Sequence, residues 1–177
     1  MTDRALFEAQ VLPHLDAAYN LARWLTRDPH DAEDVVQEAC VRALRYLASL
    51  REGGARAWFL TIVRHASYDW IEQHRDRDRD GGDGGVEVAA DAESEPAQIA
   101  ERRGESRALA QAIAALELPF REVIVLRELE ELSYKEIASV AAIPIGTVMS
   151  RLARARALLR QSPVLHAIAP RRSGGER

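Results

Sequence analysis

The chain is poor in cysteine, in aromatic side chains and in long apolar runs, and each shortage removes a class of protein. A single cysteine, Cys40, rules out an intramolecular disulfide, and its place on an apolar helical face predicts a packing role. No apolar stretch approaches the roughly 20 residues that a membrane-crossing helix needs. The opening residues lack the basic and then apolar pattern of a secretory signal, so the cytoplasm is the expected compartment and membrane insertion is not expected. The five histidines fall in no metal-ligand spacing, no glycine-rich loop follows a strand, and Ser67 has no evident base partner. Neither an enzyme, a metal, a cofactor nor a small-molecule substrate is expected.

What is present is enough apolar material to fold. Of 177 residues, 47% are hydrophobic and 29% charged, which suits one ordinary domain or two small ones. The formal net charge of -4 opposes nucleic-acid binding on average, but the charge is segregated. Residues 80–100 hold six acids and no base, whereas residues 146–160 hold four arginines and no acid. The local sign is therefore the useful quantity.

Residues 76–100 read as a flexible acidic, glycine-rich linker. Glycines 81, 82, 84 and 85 raise backbone entropy, and few large side chains offer a reason to pack. About 25 coil residues span roughly 27 Å on average. The pattern predicts an all-α chain of two small helical domains, 1–75 and 101–162, followed by a disordered tail, 163–177. Helices are expected over 5–27, 29–50 and 55–74, then over 97–116, 119–129, 133–141 and 146–161. In the second of these, Val36, Cys40, Ala43, Leu44 and Leu47 recur at three- and four-residue steps and predict its buried stripe.

Three segments carry candidate chemistry. In the last two helices Ser133 and Glu136 form a capping-box pattern, the turn carries Ile143 and Pro144, and Thr147 can cap a second helix. That helix buries Val148, Leu152, Ala155 and Leu159 and turns Ser150, Arg151 and Arg154 outward, as a recognition helix in the major groove does. Its arginines have no acid within their own helix to pair with. The second segment, 31–38, sets Asp31, Asp34 and Glu38 on one face. Acids in a first turn offset the helix dipole, and the same stripe, beside an exposed Val35 and Gln37, suits docking on a basic protein surface; the spacing leaves both open. In the third segment, 58–71, Trp58, Ile62 and Ile71 are expected in the core, with Arg64 and His65 pointing elsewhere. The loop before it, with Gly53 and Gly54, suits capture of a flipped base.

Together these motifs resemble the extracytoplasmic-function sigma factors, from Leu12 to Leu159. The resemblance implies that Asp31, Asp34, Val35, Gln37 and Glu38 bind core RNA polymerase. It implies minus-10 promoter DNA contacts from Arg51, Arg56, Thr61, Arg64 and His65. Minus-35 contacts are implied for Arg127, Gly146, Thr147, Met149, Ser150, Arg151, Arg154 and Arg156. An anti-sigma partner is implied as well. Thr61 and His65 stand where the family often has Arg and Asn, and Met149 where a basic residue is common; Glu72 and Gln73 also replace residues that are often basic. Two other readings compete: a helix-turn-helix regulator acting without polymerase, and a sigma-like module that only sequesters a partner.

Overall fold

The computed structural model describes residues 2–51, 54–75 and 97–168. Nine α-helices account for most of them: α1 Asp3–Gln10, α2 Leu15–Thr26, α3 Pro29–Tyr46, α4 Ala55–Gln73, α5 Ala97–Ala114, α6 Leu118–Ile124, α7 Tyr134–Ala141, α8 Ile145–Arg160 and α9 Pro163–Ile168. There is no strand among the described residues. Most of the expected linker, 76–96, lies outside the described residues, while its last four positions already belong to α5.

In the first domain α2, α3 and α4 pack on one another. Where one helix was expected over 5–27, there are two. Pro13 has no N–H to continue the ladder, and the chain turns through a 3-10 segment at Leu12–His14. Asp28 caps α3, accepting from the backbone N–H groups of His30 at 2.8 Å and Asp31 at 3.0 Å. The buried face of α3 is Ala32, Val35, Ala39 and Ala43, almost one position away from the expected stripe. Leu44 is exposed, Val36 and Cys40 are half-buried, and Val35, expected to face outward, is 1% exposed. Three alanines on that face let the helices approach closely. Opposite it, α4 buries Phe59, Leu60, Val63, Ala66 and Ser67, while Trp58, Ile62 and Ile71 are only partly covered. Emptying the Phe59 site with Phe59→Ala carries a cost of about 3–5 kcal/mol.

The second domain is built on α5 to α9. The Arg121 guanidinium closes the end of α5, donating from Nη1 to the carbonyls of Ala114 at 3.0 Å and Leu116 at 2.8 Å. Burial, reinforced by nearby Arg27, lowers its pKa to about 10. The helix expected over 119–129 loosens at its end into a π-turn, Val125–Leu129, closed by Glu130 N–H on Val125 O at 3.0 Å. Ser133 and Glu136 form the expected capping box, with bonds of 2.8 and 3.2 Å. Helices α7 and α8 then meet at 100°, as a helix-turn-helix requires. The cap of α8 differs from expectation: Pro144 occupies that position, and Thr147 lies inside the first turn. Val148, Leu152 and Ala155 are buried, and Leu159 is half-buried. Short α9 packs on α5, in the segment expected as a disordered tail.

The two domains share one buried apolar cluster, with α2 against α6 and α4 against α7.

Candidate nucleic-acid and protein interfaces

Two surfaces of opposite sign emerge on separate helices. On α3, Asp34, Gln37 and Glu38 are exposed, and Asp31 is half-buried in the first turn. Glu38 accepts from Arg42 Nε at 2.8 Å, and Arg42 also holds Asp69 of α4 at 2.6 Å. The stripe is therefore partly braced by its own chain, with Asp34 and Gln37 left outward. Val35 lies beneath it in the core, so its part is to position the helix. Along the same helix Val41 is 43% exposed and Leu44 49%. This apolar extension was missed because Leu44 was assigned inward.

On α4 and just before it, the candidate promoter-reading residues fall into three situations. Arg51, Trp58 and Thr61, with Tyr46, line a cleft of about 470 Å³ that Ser139 of α7 also borders. The Trp58 indole donates to Ser49 Oγ at 3.1 Å, and the Thr61 hydroxyl donates to Ala57 O at 2.8 Å. Tyr46, 61% exposed, is an aromatic face that sequence reading overlooked. Its position at a helix end gave no periodic signal. His65 is exposed and borders a neighbouring cleft with Arg45, Tyr46 and Ile62. Arg56 and Arg64 are engaged by the second domain. Arg64 Nε donates to Glu122 Oε1, and the guanidinium lies 4.3 Å over the Tyr68 ring. Arg56 donates to the backbone oxygen and to Oε2 of Glu130, both at 2.7 Å.

On α8, Gly146, Met149, Ser150 and Arg154 are exposed, and open space surrounds Gly146. Thr147 is half-buried. Arg151 is half-buried as well; burial raises the Glu122 carboxyl pKa, opposed first by Arg64, then by the Tyr68 hydroxyl and last by Arg151. Among the described residues Arg154 has no ion-pair partner. Arg156 reaches back to Glu128 Oε1 with Nη2 at 2.6 Å and Nε at 3.2 Å. Arg127 is built into the domain: Nη1 donates to Leu132 O at 2.8 Å, and the guanidinium stacks 5.2 Å from the Tyr134 ring centre. The structure thus leaves Met149, Ser150 and Arg154 accessible together and gives Arg127 a local structural partner.

A three-helix domain with an acidic helix face, joined to a helix-turn-helix, is the architecture of a sigma-70-type chain. Residues 11–77 match Sigma-70 region 2 and residues 106–159 match Sigma-70 region 4. The chain belongs to the extracytoplasmic-function sigma factors. It is 34% identical over 143 residues to the probable RNA polymerase sigma factor RfaY of Xanthomonas campestris pv. campestris, covering 79% of this chain and 36% of that protein. It is 31% identical to the ECF RNA polymerase sigma factor SigE of Mycolicibacterium smegmatis, covering 88% of this chain and 61% of that one. Against the RNA polymerase sigma-H factor of Pseudomonas aeruginosa it is 34% identical, with 87% and 84% covered. The sigma factor RpoE in complex with the anti-sigma factor NepR, from Bartonella quintana, is similar in structure: TM-score 0.69, 28% identity, 90% of this chain and 96% of that one. CnrH in complex with the cytosolic domain of CnrY gives 0.63 at 26% identity, with 94% and 90% covered.

Proposed function

We propose that the chain binds core RNA polymerase through α3 and directs it to promoters through α4 and α8, with no catalysis of its own. The observation that carries this reading is the separation of charge. Asp34, Gln37 and Glu38, continued by Val41 and Leu44, suit a protein surface, while Ser150 and Arg154 suit a groove lined by phosphates. Residues 1–75 act as the polymerase and minus-10 domain, 97–168 as the minus-35 domain, and 76–96 as the tether.

At the minus-10 element, the cleft between Tyr46, Arg51 and Trp58 accepts one unpaired base, which stacks on an aromatic face while Arg51 holds backbone phosphate. At the minus-35 element, α8 enters the major groove with Met149 toward apolar base edges and Arg154 toward phosphate or guanine. The protein works in the cytoplasm, where its polymerase is, under an anti-sigma partner; both similar structures are complexes, one with the anti-sigma factor NepR and one with the cytosolic domain of CnrY.

Two sets of substitutions separate the surfaces. Asp34→Lys with Glu38→Lys abolishes capture of core polymerase in a pull-down, and unchanged capture removes the docking claim. Arg151→Ala with Arg154→Ala abolishes transcription from the cognate promoter but keeps polymerase binding; retained transcription removes the minus-35 claim.

A further inference from the structure

We propose that the free chain latches itself shut: Glu122 and Glu130 of the second domain occupy Arg64 and Arg56 on α4, so the domains must part before those arginines reach DNA. The inference rests on reading α4 as the minus-10 surface and concerns the regulation of that surface.

Among the described residues, side-chain contacts cross the domain boundary at Glu122, at Glu130 and at Arg121, whose Nη2 donates to Leu25 O at 3.5 Å. Glu122 is fully buried, with Arg64 on one carboxylate oxygen and the Tyr68 hydroxyl donating to the other at 3.2 Å. Glu130 is 5% exposed and meets the forked end of Arg56 with its carboxylate and its own backbone carbonyl; Asn20 Nδ2 of α2 donates to the remaining carboxylate oxygen. The π-turn at Val125–Leu129 and the left-handed Glu131, at φ 53°, swing Glu130 back toward α4. Glu130 is thus placed by backbone geometry, Glu122 by its position on α6, and each holds an arginine of α4.

A carboxylate offers a guanidinium the paired oxygens that a phosphate offers. Arg56 and Arg64 cannot satisfy both at once, so the closed form and the DNA-bound form exclude each other at these two residues. Ser139 of α7, at the border of the base-sized cleft, adds a steric element to the same exclusion. The latch is also suited to opening. Desolvation offsets much of the attraction in a buried ion pair, and when the domains part both partners regain water. A partner surface that accepts only separated domains therefore has a modest barrier to overcome. If the closed form holds roughly 90–99% of the population, the apparent affinity for such a partner falls about 10- to 100-fold.

The test uses the full chain in a Cys40→Ala background, with dyes on Asp16→Cys and Ser106→Cys, both exposed sites, one in each domain. Energy transfer is read alongside affinity for core polymerase. Glu130→Lys sets a cation against Arg56, and Asn20→Asp sets a carboxylate against Glu130. Each single variant is expected to lower transfer and tighten core binding at least fivefold. The two substitutions combined place opposite charges together again and are expected to restore much of the transfer, which general damage to the fold does not do. Wild-type protein whose dyes are already as far apart as in the polymerase complex overturns the latch, and so do folded single variants with unchanged transfer. Variants that open without gaining affinity overturn its regulatory role. If no form binds core polymerase, the polymerase reading fails, and the transfer data alone still decide whether the chain closes.

Discussion

The pairing of Arg156 with Glu128 sets up a prediction whose sign is unusual for removal of an ion pair: Glu128→Gln strengthens promoter binding. Both side chains are substantially exposed, 39% for Arg156 and 49% for Glu128. Both donors of Arg156 converge on the same oxygen, so this is not the parallel fork that makes such pairs strong. Exposed pairs of this kind contribute about 0–1 kcal/mol. If Arg156 leaves Glu128 to contact a phosphate, that sum opposes binding, and its removal tightens the complex by up to about fivefold. A contact now made more fully also steepens the dependence of log affinity on log salt, by up to about 0.9. The assay is fluorescence anisotropy of holoenzyme on a minus-35 duplex over a salt series. In an Arg156→Ala background the same Glu128→Gln change has no effect. A similar gain in that background shows that Glu128 acts by simple repulsion of DNA and refutes the pairing account.

The other predictions address single features. Arg154→Ala lowers the salt slope by about 0.9, as expected for one lost phosphate contact, and an unchanged slope argues against that contact. Ala142, at φ 53°, closes α7 in a left-handed conformation; Ala142→Gly stabilises the chain by about 0.5–1 kcal/mol, measured by urea unfolding, after the added chain entropy of glycine is subtracted. Burial raises the Cys40 thiol pKa, so its reaction with a disulfide reagent at pH 8 is slower in the native chain than in the unfolded one; equal rates count against the half-buried position. Tyr68 is pushed up to about 12, first by burial and then by the Glu122 charge. Because the folded pKa is raised, its contribution is complete below the ordinary tyrosine value and is lost as pH climbs through about 12. An ultraviolet titration shows one late phenol that disappears in Tyr68→Phe; its persistence in that variant contradicts the assignment.

Legibility followed the range of the interactions. The capping box of Ser133 and Glu136, the helix-turn-helix and the body of α4 were readable, because each depends on residues within a few turns. The inward face of α3 was misread because alanines carry little hydrophobic signal. Val36, Cys40, Ala43, Leu44 and Leu47 look like a stripe; Ala43 and Leu47 are buried as expected, yet Ala32, Val35 and Ala39 complete the inward face in place of Val36, Cys40 and Leu44. Pro13 and Pro144 are local signals whose structural effect was underestimated: one splits a helix and the other begins one. The pairing of Arg64 with Glu122 and Arg56 with Glu130 joins residues distant in sequence, and no local pattern points to it.

These pairings also account for how an acidic chain can serve a nucleic-acid function. Arginines attractive as DNA contacts divide by what already holds them. Arg127 is fixed to Leu132 O and Tyr134, so its substitution is expected to act first through stability. Arg56 and Arg64 are held by acids of the other domain, so their availability depends on domain position. Arg154 remains outward on α8, with no ion-pair partner among the described residues. Net charge counts all of these equally, whereas binding depends on which guanidinium groups are free at the moment of encounter. A chain with a formal charge of -4 can therefore carry a locally basic helix while its acids lie elsewhere, on α3 and across its own domain boundary.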